Sequence, residues 1–309
     1  CERRFKKTIL GFVRGVLSHQ KHGWEPGSGE VVSWKDAVDF ACRSLGVEYK
    51  DVTPAMLDDD KLAFVRGVAV MTAGAAPKGV WTRDEIRSRL KVPAAYFVER
   101  GWSRRVLEEY DVGVCTDPSK PFFERAVVPV YDETGRYAVS LTGRSVHLAC
   151  QRCKAYHRPS GPCPSTRQEL NRCSKWRNLG RTPVENLLYN WWKARREIPK
   201  EGYAVLVEGP GDLWRLEEAG VRTGLAMFGV SLSDHQQVLL ECSGAMSVVV
   251  LTNNDDAGRR GLEAIRVRLS RLFHVFTPTL QKNDLGDMTP VEVQELLGPV
   301  LAEAKRRVM

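Results

Sequence analysis

The apolar run Val205–Val207 ends at a carboxylate, Glu208, and a second carboxylate, Asp212, follows across a Gly-Pro-Gly turn. The pattern recurs downstream. Asn253, Asn254, Asp255 and Asp256 close the run "MSVVVLTNNDD", and Asp284 and Asp287 follow another short apolar run in "LQKNDLGDM". Taken singly, these are ordinary turn acids, and Asp212 reads as a helix N-cap. Gathered at one place they repel one another unless a cation neutralises them. Oxygen donors with no histidine among them suit Mg2+ or Mn2+. The candidate metal residues are Glu208, Asn253, Asp255, Asp284 and Asp287, with Asp212 behind Glu208.

The elements that must carry these residues alternate. From Gly202 onward the sequence reads strand "YAVLVEG", helix "DLWRLEEAG", strand "GLAMFG", helix "SLSDHQQVLLECSG", strand "MSVVVLTNND", helix "AGRRGLEAIRVRLSRL", strand "HVFTPTL" and a closing helix "TPVEVQELLGPVLAEAKRR". Ser233 and Gln236 are spaced as a capping box. Strands alternating with helices predict a parallel sheet covered on both faces, an α/β fold, with ligands at the carboxyl ends of the strands. Upstream the pattern is mixed α and β. Helical spacing appears in "FKKTILGFVRGVLS" and in "SWKDAVDFACRSLG", with Ser33 as N-cap and Gly46 as stop, then around Pro54–Ala73 and Arg83–Lys91. Residues 93–113 read as two short helices broken at Gly101, with Ser103 capping the second. "AVVPVYDETGRYAVSLTGRS" reads as strand, turn, strand.

Between the strand ending near Arg144 and the region around Lys175 lies "CQRCKAYHRPSGPCPSTRQELNRC". It is rich in Gly and Pro, with too few apolar residues for a core of its own. A Cys-x-x-Cys knuckle followed by two more cysteines predicts one structural Zn2+ held by Cys150, Cys153, Cys163 and Cys173, with His157 as a further candidate ligand. Free thiols or a redox pair are the alternatives. Cys42, Cys115 and Cys242 sit in apolar patterns and read as core residues. The chain has 309 residues, eight of them Cys, and a formal net charge of +8. A secreted disulfide scaffold is excluded by length and by the local clustering of cysteines, so the expected compartment is cytoplasmic. No apolar run is long enough to span a membrane. The basic balance is compatible with a nucleic-acid partner. Beginning at Cys1, the sequence reads as an excised or processed chain.

"LVEGPGD" followed by "NNDDAGRRG" resembles the Toprim fold of bacterial-type primases, topoisomerases and some nucleases. "PAAYFVERGWSRRVLEEYDVG", "ERAVVPVYDETGRYAVSLTGR", "LYNWWKARR…YAVLVEG" and "KNDLGDM" resemble, in the same order, segments of the catalytic core of DnaG-type DNA primases. The resemblance covers about residues 85 to 305 apart from the cysteine insert. It implies three regions: 1–82, helices following an absent zinc module; 83–201, the first subdomain of the core, with the insert at 147–175; and 202–309, the Toprim domain and a final helix. It also implies roles. Glu208, Asp212, Asn253 and Asp255 take the catalytic acid positions, although the family carries Asp where Asn253 stands. Arg100, Arg144 and Lys175 take basic positions that grip template and nucleotide phosphates, and Val184 replaces a further basic residue.

The activity implied is template-directed synthesis of short primers on single-stranded DNA from nucleoside triphosphates, a DNA-directed RNA polymerase of the primase type, with a replicative helicase as partner. A Toprim-type nuclease would use the same metals with water as attacking group. A catalytically degenerate nucleic-acid-binding module is the reading that Asn253 and Val184 favour.

Overall fold

The computed structural model describes residues 9–25, 30–44, 81–180 and 182–307. Two helices come first, α1 (Ile9–His22) and α2 (Trp34–Ser44). Ser33 caps α2, its Oγ accepting the Asp36 N–H at 3.1 Å. The expected helix around Pro54–Ala73, the Gly46 stop and the Cys42 side chain lie outside the described residues.

The middle region is built on an antiparallel sheet. Its long hairpin pairs β3 (Arg125–Tyr131) with β4 (Tyr137–Ser145). Beyond β3 lies β2 (Gly113–Cys115). The other edge of β4 is shared by β1 (Trp81–Thr82) and β5 (Trp176–Gly180). β2 covers only Arg125–Val127, so Pro129, which has no N–H to donate, falls where that edge is open. β1 and β5 are too short and too polar to show in the alternation of the sequence, and the partner strand β4 specifies them. Three short helices precede β2: α3 (Arg83–Arg89), α4 (Ala95–Val98) and α5 (Arg104–Glu109). Thr82 and Ser103 cap α3 and α5, and the chain reverses at Gly101, whose φ of 94° favours glycine.

The second half is a four-stranded parallel sheet, ordered β7-β6-β8-β9, formed by β6 (Tyr203–Val207), β7 (Gly224–Ala226), β8 (Ser247–Val250) and β9 (His274–Phe276). Leading into β6 is α7 (Trp191–Glu201), ended by Gly202 in the left-handed conformation. Helices α8 (Pro210–Glu218), α9 (Asp234–Glu241), α10 (Asp256–Leu269) and α11 (Pro290–Arg306) complete the order. Alternate residues of each strand serve opposite faces. Val205, Val207 and Val249 pack with Leu213, Trp214, Val293 and Leu297 of α8 and α11. Ala204, Leu206, Val248 and Val250 pack with Ile198, Leu240, Ile265 and Leu269 of α7, α9 and α10.

The first of these cores is continuous with Phe97, Leu107, Tyr110 and Val128 from the antiparallel region, so the two sheets share one apolar interior. Phe97 and Trp214 meet edge to face at 4.9 Å across that junction. Tyr110 bonds Asn190 at 2.8 Å, and Asn190 in turn donates to the Gly224 carbonyl at 2.9 Å. Both of these polar side chains buried at the seam therefore have partners. No described helix is long and apolar enough to cross a membrane.

A buried carboxylate ties α3 to the sheet. Asp111 is fully buried, pairs with Arg83 and Arg87, and accepts the Tyr131 hydroxyl at 2.8 Å. The Arg83 guanidinium lies over both Tyr131 and Trp192, 5.1 Å from each ring centre. Asp111→Ala leaves the arginines without their anion. It is expected to cost about 2–3 kcal/mol, less than the loss of a fully buried pair because Arg87 is half exposed. Arg87→Ala should cost under about 1 kcal/mol. Thermal or urea unfolding of the two variants checks the ranking.

Candidate acidic edge and metal knuckle

Glu208 follows the last residue of β6, and its Oε1 accepts the Asn253 N–H at 2.7 Å from the end of β8. The parallel register that sets Leu206 beside Val250 makes this contact possible. Pro210 starts α8 earlier than the sequence implied. Gly209 is the N-cap, and Asp212 occupies the third helical position rather than the cap itself. The Asp212 carboxylate accepts the Gly209 N–H at 3.0 Å with one oxygen and the Gly286 N–H at 3.1 Å with the other. Asp284 caps the short turn at 285–287, accepting the Asp287 N–H at 2.8 Å. Asp255 caps α10 through the Gly258 N–H at 2.7 Å. A Cβ on Gly258 would stand 2.0 Å from the Asn253 carbonyl oxygen, so only glycine lets α10 start this close to the end of β8.

Burial raises the pKa of Glu208, with Asp255 and Asp284 adding to it and the Asn253 N–H opposing. Burial likewise lifts Asp284, and Arg100 offsets part of the rise. Asp212 is lifted to about 7, by burial first and then by the charge of Asp284. Among the described residues none of these three carboxylates forms an ion pair. Charge crowded there with no ion pair to offset it among the described residues fits a divalent cation, whose oxygen preference matches the donors. The acid oxygens line one edge without closing into a compact ring: among the described residues the only tight group of potential ligands lies in the cysteine insert. Asp287 is exposed, its N–H turned back to Asp284, and Asp256 is exposed and paired with Arg259 at 2.6 Å.

Of the basic candidates, Arg100 is exposed near Asp284, 5.7 Å from the Tyr96 ring centre. Arg144 is half-buried, its guanidinium 5.5 Å from Tyr96 and 4.9 Å from Tyr156. The Lys175 side chain is exposed. Val184 is buried in a single 3-10 turn.

Trp102 and Arg215 were not anticipated, because an aromatic and an arginine in amphipathic stretches carry no local signal. Trp102 donates to the Gly211 carbonyl at 3.0 Å, and a Cβ on Gly286 would lie 3.1 Å from its ring. Arg215 reaches the Gly101 and Gly286 carbonyls at 3.3 and 3.2 Å and pairs with Glu218. Together they tie the Arg100 turn, the start of α8 and the Asp284 loop into one unit.

In the insert, Cys150, Cys153, His157 and Cys163 bring their donor atoms within 4.8 Å of one another. His157, the substitute ligand of the sequence reading, joins Cys150, Cys153 and Cys163 in this group, and Cys173 lies outside it. Cys173 ends the helix α6 (Arg167–Arg172), and its carbonyl takes the Tyr156 N–H at 2.7 Å, which fixes its backbone as a support for the knuckle. The Cys150 and Cys163 sulfurs are 3.9 Å apart. A tetrahedral zinc with Zn–S bonds of about 2.3 Å needs about 3.8 Å. The His157 Nδ1–H donates to the Arg158 carbonyl at 2.8 Å, which leaves Nε2, 3.3 Å from Cys153, free to ligate. Backbone N–H groups of Cys153 and Arg152 hold the Cys150 thiol down to about 6, which favours the thiolate that a metal requires. These residues fit Zn2+. Of the cysteines expected in the core, Cys115 is buried and Cys242 is half-buried at the end of α9.

Two outcomes are expected. Elemental analysis should find one zinc per chain, lost in Cys163→Ser and retained in Cys173→Ser. The second concerns pH. Asp212 has a folded pKa near 7 against about 3.9 unfolded, so the folded state holds more protons between those values. The apo protein should therefore lose stability as pH rises from about 4 through 7. Mg2+ should raise the melting temperature more at pH 8 than at pH 5, and Asp212→Asn should flatten the pH dependence.

Residues 202–274 match the Toprim domain family. A DNA primase of Enterococcus faecalis is 27% identical over 224 residues, 71% of this chain and 29% of that protein. A DNA primase of Aquifex aeolicus is 38% identical over 90 residues, 29% of this chain and 18% of that protein. The chain thus spans less than a third of the length of either relative. The crystal structure of the zinc-binding and RNA polymerase domains of the Aquifex aeolicus primase aligns at 20% identity with a TM-score of 0.49, covering 98% of this chain and 71% of that one. The parallel sheet with its acidic edge thus lies in a segment that matches the Toprim domain family, and the chain is similar in sequence to DNA primases.

Proposed function

We propose that the chain is the catalytic core of a primase, joining nucleoside triphosphates into short primers on a single-stranded DNA template. The observation that carries this reading is the set of unpaired carboxylates, Glu208, Asp212 and Asp284, on the carboxyl edge of the parallel sheet, with Arg100 alongside. Such an edge attracts a divalent cation and, through it, phosphate oxygens. The relatives named above are DNA primases, which supports nucleotidyl transfer over hydrolysis.

In this reading Glu208, Asn253, Asp255, Asp284 and Asp287 supply oxygens to Mg2+ or Mn2+. When bound, the cation lowers the pKa of an attacking hydroxyl and offsets charge on the leaving pyrophosphate. Glu208 is held in orientation by the Asn253 N–H, and Asp212 anchors the Asp284 loop through the Gly286 N–H. Asp212, lifted to about 7 by burial, would be favoured as the carboxylate by positive charge held at this edge. Arg100, Arg144 and Lys175 grip phosphates of template and nucleotide, with the two guanidinium forks suited to paired oxygens. Association weakens steeply with salt, as expected when side chains replace counterions. Recruitment by a helicase belongs to the same proposal.

Asn253 offers an amide oxygen, which can coordinate a cation but carries no charge. The expected outcome in a primer-synthesis assay with labelled nucleotides is loss of at least about 100-fold in Glu208→Gln, comparable with removing a main electrostatic element of a site. Asn253→Asp should lower the Mg2+ or Mn2+ concentration needed for half-maximal synthesis. Full activity in a folded Glu208→Gln protein would remove the acidic edge from the chemistry. Degradation of template without primers would point instead to a nuclease.

A further inference from the structure

The cysteine insert lies against a residue of the proposed phosphate grip. Tyr156, immediately before the ligand His157, has its ring centre 4.9 Å from the Arg144 guanidinium. The Tyr156 backbone is fixed on two sides: it bridges to Ala149, and its N–H bonds the Cys173 carbonyl at 2.7 Å. The knuckle closes behind it, with the Cys150 N–H on the Ala155 carbonyl at 2.8 Å. The buried Arg125 anchors the far end of the insert, donating to the Arg172 and Ser174 carbonyls. Arg144 is therefore held by Tyr96 from the core and Tyr156 from the insert, and spends one N–H on the Ser145 carbonyl at 2.9 Å. A guanidinium immobilised by rings keeps its in-plane donors for phosphate oxygens and loses little freedom on binding.

The face around this arginine is aromatic and basic. Trp176 pairs in register with Arg144 across β4 and β5, which puts both side chains on the same side of the sheet, and it is 39% exposed. From His147 to Arg177 the sequence has seven Arg and Lys against one acid, Glu169. Glu169 is occupied by the N–H groups of Ser165 and Thr166. Arg152, Lys154 and Lys175 are exposed and form no ion pair among the described residues. Unneutralised positive charge beside exposed rings fits the backbone and unstacked bases of a single strand.

We propose that the metal-binding insert is a wall of the single-stranded DNA interface, in which Tyr156 and Trp176 stack bases beside Arg144 and the metal centre holds Tyr156 in place. This rests on the primase reading and extends it. A metal site that shares no ligand with the acidic edge thereby acts on template grip.

The experiment is fluorescence anisotropy of a labelled single-stranded DNA oligonucleotide with the full chain, zinc content being measured for each protein. Tyr156→Ala and Trp176→Ala should each weaken binding about 10-fold, whereas Tyr156→Phe, which keeps the ring, should bind normally. Chelation of the metal should weaken wild-type binding by a similar factor and weaken Tyr156→Ala little further. Arg152→Ala, which removes an exposed charge and keeps the backbone N–H that faces the Cys150 sulfur, should reduce the salt slope by about one. Wild-type binding that is unchanged by Tyr156→Ala, Trp176→Ala and Arg152→Ala overturns the proposed wall while leaving the primase reading standing. Failure of the wild type to bind single-stranded DNA at low salt overturns both. Tighter binding of a duplex than of a single strand, with the same variants affected, overturns the assignment to a single strand.

Discussion

Carboxylates that form no ion pair among the described residues set the terms for the second half of this fold. Glu208 and Asp212 stand where β6 gives way to α8, and Asp284 stands on the loop after β9. Backbone N–H groups of Gly209, Gly286, Asp287 and Asn253 supply their hydrogen bonds. These bonds keep the acids in place and oppose the effect of burial without cancelling it, so the pKa of all three stays raised. The edge is therefore electrostatically unfavourable, a cost that a bound cation would offset. Elements around it reduce the freedom of the edge: Trp102 and Arg215 join the Gly101, Gly211 and Gly286 segments, and Gly258 lets α10 begin against Asn253.

The rest of the chain supports that edge from one side. The antiparallel sheet shares an apolar interior with the parallel one through Phe97, Leu107, Tyr110 and Trp214. This continuity holds Arg100, on the loop after α4, close to Asp284 on the loop after β9. Arg100 and the acidic residues come from segments far apart in the chain, and their relative placement is only as rigid as the shared core. The insert follows a different logic. It contributes few buried apolar side chains, and its order comes from the Cys150–Cys163 knuckle, the Arg125 anchor and the Glu124 contacts to His147 and Arg158. The four donor atoms gathered there fit a cation that would stand in for a hydrophobic core.

Strand–helix alternation after Gly202 was legible because each strand is a compact apolar run and each helix carries a cap and an amphipathic stripe; Ser233 with Gln236 is the clearest case. The DETG hairpin and the Gly101 break were equally local. β1, β2 and β5 were not visible. They are two to five residues long and exist because β3 and β4 offer them an edge. The start of α8 was misplaced by three residues because Asp is ordinary at an N-cap, and only the backbone shows that Pro210 opens the helix and Asp212 reaches back to Gly209.

By itself the sequence determined that acids end parallel strands and that a cysteine-rich segment lies between two basic positions, since both follow from residue type and spacing. Tertiary structure decided which of these groups meet. Spacing along the chain cannot choose between Cys173 and His157 as the fourth donor. In the fold a turn brings His157 back toward Cys153, while Cys173 caps a helix and supports Tyr156 through its carbonyl. Nor can it show that Tyr156 covers Arg144, or that Asp212 serves the Asp284 loop, because those contacts join residues that are neighbours only after the sheets have closed on their shared core.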